Sequence, residues 1–215
     1  MDCCDPTLYD DTFDEADAER RLRDYRRDGP RGGTARLIAA LSGDGVEGLT
    51  VLDIGAGVGA IHQTLLEAGA ASATDVDASG PYLAAAKREA ERRGLADRVT
   101  YLKGDAVRLA PELPEADLVA LDRVVCCYPD MQALVTVAAT RTRRRLGLVL
   151  PKDAGWTRTG ASLSNRWSRL RGDPFRFHVH PTDAVIGAAR AAGLELVSEH
   201  RGWFWQTLVL ERVRD

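Results

Sequence analysis

The stretch Val51-Leu52-Asp53-Ile54-Gly55-Ala56-Gly57-Val58-Gly59 runs an apolar strand bearing one carboxylate straight into a Gly-x-Gly-x-Gly turn. The residues that follow, Ala60 to Ala68, read as a helix. Glycine at alternate positions lets the backbone turn sharply and lets a ligand lie against it, because no Cβ intervenes. The turn also aims the N–H groups of a helix N-terminus at whatever binds. Such a turn at the carboxyl end of a strand predicts a nucleotide-type ligand site. The spacing departs from the dinucleotide fingerprint G-x-G-x-x-G, since Ala60 stands where that pattern places its last glycine.

Further strand ends carry acids in series. Ala71-Ser72-Ala73-Thr74-Asp75-Val76-Asp77 reads as a second strand. It ends about 20 residues past the glycines, where a ribose-binding carboxylate belongs. Strand alternation puts Asp75 and Asp77 on one face, so both compete for that role. Arg98 to Ala106 reads as a third strand closing on Gly104-Asp105-Ala106. Ala116 to Pro129 reads as a fourth strand with its loop, through Leu121, Asp122 and Arg123.

In this order, the glycine turn after Leu52-Asp53-Ile54, then Asp77-Ala78-Ser79, then Gly104-Asp105-Ala106, resemble the motifs of class I S-adenosylmethionine-dependent methyltransferases. The resemblance implies an α/β, Rossmann-like fold with a seven-stranded sheet in the order 3-2-1-4-5-7-6. It implies S-adenosyl-L-methionine as cofactor, held by Asp53, Gly55, Ala56, Gly57 and Gly59. Asp77 and Ala78 are expected at the ribose, and Asp105 and Ala106 at the adenine. Leu121 and Asp122 are expected where cofactor and acceptor meet. The loop Asp122-Arg123-Val124-Val125-Cys126-Cys127-Tyr128-Pro129-Asp130 is similar to that of small-molecule methyltransferases grouped with magnesium-protoporphyrin IX O-methyltransferase. It lacks the Asn/Asp-Pro-Pro-Tyr/Phe loop of enzymes that methylate nucleic-acid amines. The expected function is methyl transfer to a small-molecule acceptor at oxygen. The alternative is an S-adenosylmethionine-binding regulatory or accessory protein without methyl transfer.

Composition narrows the partners. A chain of 215 residues suffices for one well-buried domain, expected to span residues 1–215. The net charge of −3 argues against a nucleic-acid surface, which is strongly basic. No run of about 18 apolar residues offers a membrane span. The acidic stretch Met1 to Asp17 has no signal-peptide core, so a cytoplasmic protein with no membrane partner is expected. Cys3, Cys4, Cys126 and Cys127 form two vicinal pairs, expected to stay as thiols in a reducing compartment. They lack the spacing of structural zinc sites, so no metal is expected.

Along the chain, Asp14 to Arg27 reads as a helix, Gly29-Pro30-Arg31-Gly32-Gly33 breaks it, and Thr34 to Leu41 reads as a second helix. Residues 1–45 are expected to form a helical lid over the cofactor. Pro81 to Arg93, Met131 to Arg144 and Asp183 to Ala192 read as helices, and Leu146 to Pro151 as a buried strand. Leu194 to Ser198 and Gly202 to Arg212 read as a closing strand pair. Residues 152–180, polar and aromatic, are expected to be a substrate-facing insertion.

Methyl transfer from a sulfonium is a direct displacement, so alignment and exclusion of water supply much of the catalysis. A general base is needed only where the acceptor carries a proton, and a carboxylate acceptor carries none. His178 and His180 in Phe175-Arg176-Phe177-His178-Val179-His180-Pro181 are the candidate catalytic pair, a base and its orienter. A polar pair that closes a loop is the competing reading. Tyr25 is a candidate cap for the cofactor's methionine end, against an inward-packed tyrosine on a basic face. Arg123 suits a carboxylate acceptor, or pairs with Asp122 or Asp130. Trp156 and Trp167 are candidate walls of a flat, apolar pocket, and Trp203 and Trp205 flank Phe204 on a strand.

Overall fold

The computed structural model describes residues 9, 10 and 12–213. Its centre is a seven-stranded sheet in the order β3-β2-β1-β4-β5-β7-β6, as the resemblance implies. The strands are β1 (Thr50–Ile54), β2 (Ser72–Asp77), β3 (Val99–Lys103), β4 (Ala116–Asp122), β5 (Thr142–Pro151), β6 (Leu194–Arg201) and β7 (Trp205–Arg212). The first five pair in parallel, and β7 runs antiparallel to both β5 and β6. From β1 the chain winds outward to β2 and β3, then returns to place β4 on the other side of β1. A crevice opens beyond the carboxyl ends where the winding reverses.

Strand alternation divides the core. Leu52, Ile54, Val119, Leu121, Leu148 and Leu210 share one face with α5 (Met131–Thr140) and α7 (Thr182–Ala191). Val51, Leu118, Ala120, Val149 and Val209 share the other with α2 (Gly32–Leu41) and α3 (Ala60–Glu67). The helix α2 begins at Gly32, two residues earlier than the sequence reading. It lies close under β5: a Cβ on Gly147 would come within 2.2 Å of Leu37. So α2 is a layer of the sandwich that touches the strand ends through Thr34, and the segment through α1 (Glu15–Asp28) lies over them.

Local signals set α1. The Asp14 carboxylate accepts the Asp17 N–H at 2.8 Å, acids occupy the first turn and Arg26 and Arg27 the last. Gly29, at φ 67°, ends it. At β5 tertiary pairing overrides local pattern. The helix expected to reach Arg144 stops at Thr140, and the chain enters the sheet at Thr142. Arg145 lies opposite Glu211 of β7 and donates to its carboxylate at 2.6 Å.

A buried acid fastens α1 to α4 (Gly80–Arg92). The Glu89 carboxylate receives Arg26 at 2.7 Å, Arg92 at 2.6 Å and Arg93 at 2.8 Å. Burial alone raises its pKa, but hydrogen bonds from Arg92, Arg93 and Arg26 outweigh burial and hold it at about 2. The folded value lies below the ordinary 4.5, so this stabilisation is complete above that pH and is lost as pH falls through about 2. Glu89→Gln should lower the unfolding free energy at neutral pH by about 2 kcal/mol, the scale of hydrogen bonds to a charged group. It should also flatten the acid limb of the stability curve, and urea unfolding across pH measures both.

Candidate active site

Beyond the carboxyl ends of β1 to β4 opens a cleft of about 520 Å³. Asp53, Gly55, Ala56 and Gly57 form its floor, Asp77 and Ala78 one side, and Asp105, Ala106 and Asp122 the rest of the polar wall. All three glycines of the turn have positive φ: Gly55 at 65°, Gly57 at 59° and Gly59 at 80°. Space distinguishes them. A Cβ on Gly55 would strike Val124 at 2.4 Å, and one on Gly59 would strike Gln63 and His62. A Cβ on Gly57 would meet only Tyr82, at 3.6 Å, because that position faces the cleft.

Asp53 strapping explains how the turn is held. Gly59 is the N-cap of α3 and has no side chain to cap it. Asp53 Oδ2 supplies the missing acceptor, taking the His62 N–H at 3.3 Å and His62 Nδ1–H at 3.0 Å. Its other oxygen, Oδ1, is buried with no hydrogen-bond partner. Asp75 neighbours Asp53 in the sheet and Tyr101 neighbours Asp75. Neither Asp75 oxygen nor the Tyr101 hydroxyl has a hydrogen-bond partner, and His62 Nε2 stays 3.9 Å from Asp75. Burial, with Asp77 and Asp53 nearby, raises the Asp75 pKa well above the ordinary 3.8.

Asp77 sits two residues on, at the strand end, and opens onto the cleft. Its Oδ2 accepts the Gly57 N–H at 2.9 Å and its Oδ1 the Ser79 N–H at 2.8 Å. Each oxygen keeps a lone pair for a ligand hydroxyl. Burial pushes its pKa up to about 6, against the lowering effect of those N–H groups. Asp105 is fixed by the Tyr128 hydroxyl, 3.0 Å from each carboxylate oxygen, and by the Val107 N–H at 2.9 Å. Asp122 is gripped by Thr34 Oγ1 at 2.5 Å and by Arg123, whose Nε and second nitrogen reach both oxygens at 3.1 and 3.0 Å. Arg123 stands at φ 63°, a left-handed conformation rare outside glycine, which turns the chain out of β4.

Comparison with known proteins agrees with this geometry. Residues 51–145 match the family described as methyltransferase domain. Magnesium protoporphyrin IX methyltransferase from Synechocystis PCC 6803, solved with bound SAH, has a TM-score of 0.74 at 21% identity over 97% of this chain and 100% of that one. The stretch 51–145 thus matches a methyltransferase domain, and the whole chain shares the fold of that solved methyltransferase. An O-methyltransferase family protein from Burkholderia thailandensis has a TM-score of 0.68 at 20% identity, over 94% of this chain and 61% of that one. Ribosomal protein L11 methyltransferase of Enterobacter sp. (strain 638) is 30% identical over 105 residues, covering 48% of this chain and 34% of that protein. The chain thus spans about a third of the length of the curated relatives it matches.

The same Synechocystis enzyme has also been solved with bound SAM, S-adenosylmethionine. The site suits it: an open approach at Gly57, a two-oxygen acceptor at Asp77 and a second acid at Asp105. Other expected residues lie elsewhere. Leu121 is fully buried in the core, and Gly59 shapes the helix start without reaching the cleft. Tyr25 is buried against α3, its hydroxyl 3.5 Å from Thr64 and its ring under Arg93 at 4.7 Å; it does not line the cleft. Arg21, one helical turn earlier, does.

The histidines also stand back from the cleft. His178 N–H donates to the Cys126 carbonyl at 2.7 Å, and His180 Nε2 lies 2.9 Å from the Tyr128 carbonyl. The two rings stack at 5.5 Å. They bind the insertion to the loop after β4, which is the loop-closing arrangement. Trp156 and Trp167 face solvent instead of the cleft. The Cys126 and Cys127 sulfurs lie 3.9 Å apart, both near the Arg123 carbonyl; Cys3 and Cys4 fall outside the described residues.

Sequence reasoning missed the aromatic wall. Tyr9, Phe13, Tyr82, Phe177 and Trp205 come from four separate segments to line the cleft. Phe13 meets Phe175 edge to face at 5.6 Å, joining the N-terminal segment to the insertion. The Trp203-Phe204-Trp205 triplet carried part of this signal: the bend between β6 and β7 leaves Trp203 in solvent, while Trp205, the first residue of β7, lines the cleft.

Asp75 gives a test of this electrostatic reading. Because its folded pKa is raised, the Asp75 contribution to stability is fully present below pH 3.8 and is lost as pH rises toward the folded value. Asp75→Asn should remove that slope and leave unfolding free energy at neutral pH within about 1 kcal/mol of wild type or higher. Denaturant midpoints across pH decide it. A large loss at neutral pH would mean that ionised Asp75 is a needed partner of His62.

Proposed function

We propose that this methyltransferase transfers a methyl group from S-adenosylmethionine to an oxygen of a small, flat, apolar acceptor, and that the reacting oxygen belongs to a carboxylate. One observation carries the reading. The cleft pairs a polar floor whose acids are already engaged with an aromatic wall that holds neither histidine. Asp122 is committed to Thr34 and Arg123, Asp105 to Tyr128, and His178 and His180 to the loop after β4. A carboxylate oxygen needs no proton removed, so alignment suffices.

S-adenosylmethionine supplies an electrophilic methyl group. The chain's own residues do the rest. The open backbone at Gly57 admits the methionine end. Arg21, which meets the Tyr82 hydroxyl beside Gly57, offers its carboxylate a cation. Asp77 takes the ribose hydroxyls and Asp105 the adenine amine. Phe13, Phe177 and Trp205 seat the acceptor's flat face and exclude water. The O-methyltransferase family protein among the similar structures supports an oxygen acceptor. The relative named for ribosomal protein L11 matches only part of its length, so its substrate has less weight here.

Two measurements test this. Calorimetry should show cofactor affinity falling as pH drops through about 6, where Asp77 gains its proton, by up to about tenfold per pH unit. Asp77→Asn should bind weakly at every pH and lose that dependence; an unchanged affinity would remove Asp77 from the ribose site. A mass-spectrometric screen of aromatic carboxylic acids, phenols and amines should give methyl esters. The rate with saturating cofactor should be flat above neutral pH, because no base titrates. Methylation of phenols or amines alone would refute the carboxylate. Cofactor binding without turnover across the screen would favour a regulatory protein.

A further inference from the structure

The insertion carries a helix whose apolar side points the wrong way for a fold. In α6 (Gly155–Leu170), Trp156, Leu163, Trp167 and Leu170 fall within an arc of about 60° at roughly 100° per residue. The face turned to the protein is instead small or polar: Thr157 is buried, and Ala161, Asn165 and Ser168 are partly so. The helix is held by polar contacts, Asn165 exchanging two hydrogen bonds with the Phe177 backbone at 2.7 and 2.9 Å. The stripe is left in solvent, with Leu163 64%, Trp167 58% and Leu170 76% exposed. Trp203, 82% exposed, packs on Trp156 with ring centroids 4.9 Å apart and the planes tilted by 31°, and widens it. An ordinary surface helix turns such a stripe inward.

Beside the stripe runs a basic flank of Arg158, Arg166 and Arg169, and the helix holds no acid. Asp153 pairs with Arg158. Arg166 and Arg169 meet no carboxylate among the described residues, and with Ser162 and Asn165 they line a groove of about 390 Å³. This concentration of positive charge stands in a chain of net charge −3. We propose that α6 docks the protein on the surface of an anionic lipid bilayer, the tryptophans and leucines entering the headgroup boundary and lipid phosphates settling in the Arg166–Arg169 groove. Tryptophan favours that boundary, and a basic-flanked apolar stripe lies in its plane. Pairing two copies antiparallel through the stripe would set the arginine flank against itself. The docking is peripheral: no described helix is long and apolar enough to cross a membrane. It stands against the expectation of no membrane partner, and the two differ in what vesicles should capture.

Vesicle flotation tests this with the full chain, using phosphatidylcholine vesicles with and without phosphatidylglycerol. The protein should float with the anionic vesicles at low salt, with a blue shift of tryptophan emission, and should stay behind with phosphatidylcholine alone or in high salt. Trp167→Ser with Leu170→Ser should weaken flotation by at least about tenfold, the loss of two buried apolar side chains. Arg166→Glu with Arg169→Glu should abolish the preference for phosphatidylglycerol. Circular dichroism and thermal unfolding of these variants should match wild type, since all four side chains are exposed. Failure of the wild type to float, or equal flotation of either double variant, overturns the proposal. So does a dimer in sedimentation that the Trp167/Leu170 variant dissociates while vesicles capture nothing, which would assign the stripe to a second copy.

Discussion

The carboxylate of Asp53 is the tie on which the site depends. A turn built from three glycines at positive φ is pliable, and the helix after it starts on a glycine that caps nothing. Asp53 reaches across from β1, takes the backbone and ring N–H groups of His62, and so fixes the start of α3 relative to the sheet. The contact is buried, with both residues at most 1% exposed, so little water competes for it. Gly59 is needed for the same closeness, since a side chain there would strike His62 and Gln63. With α3 fixed, the Gly57 N–H points at Asp77, and the ligand floor is set before any ligand arrives.

The same strand face shows how position alone separates two chemically equal acids. Asp75 and Asp77 point the same way from β2. Asp75 lies sealed under α3 with no hydrogen-bond donor, and that burial raises its pKa well above the ordinary value. Asp77 stands at the strand end with two backbone N–H donors and an opening to the cleft. The intermediate value of about 6 reflects that balance between burial and donors. One acid therefore serves the interior and the other the ligand.

What could be read in the sequence was local. The glycine turn, the strand-ending acids and the alternation of strands and helices are properties of short windows, and they located the parallel sheet and the polar floor, while the strand order came with the family resemblance those motifs carry. What could not be read was set by distant parts of the chain. Arg143 and Arg144 resemble the end of a helix, yet pairing with β4 and β7 draws that run into β5. Tyr25 and Arg21 lie four residues apart on one helix, and only packing against α3 decides that Arg21 reaches the cleft. His178 and His180 looked catalytic by type and spacing. Their hydrogen bonds to the Cys126 and Tyr128 carbonyls could be known only once the loop after β4 was placed beside them.

The cleft thus has halves of different origin. The floor belongs to strand ends and a strapped helix, and variation there disturbs the sheet itself. The wall is assembled where the N-terminal segment meets the insertion, through Phe13 on Phe175 and the Tyr9 hydroxyl near the Cys127 carbonyl at 3.4 Å. Those contacts involve few residues and little backbone pairing, so the wall tolerates change far better than the floor. A relative can keep the cofactor geometry and replace the acceptor side entirely. That is why similarity at 21% identity reaches the fold and stops short of the acceptor.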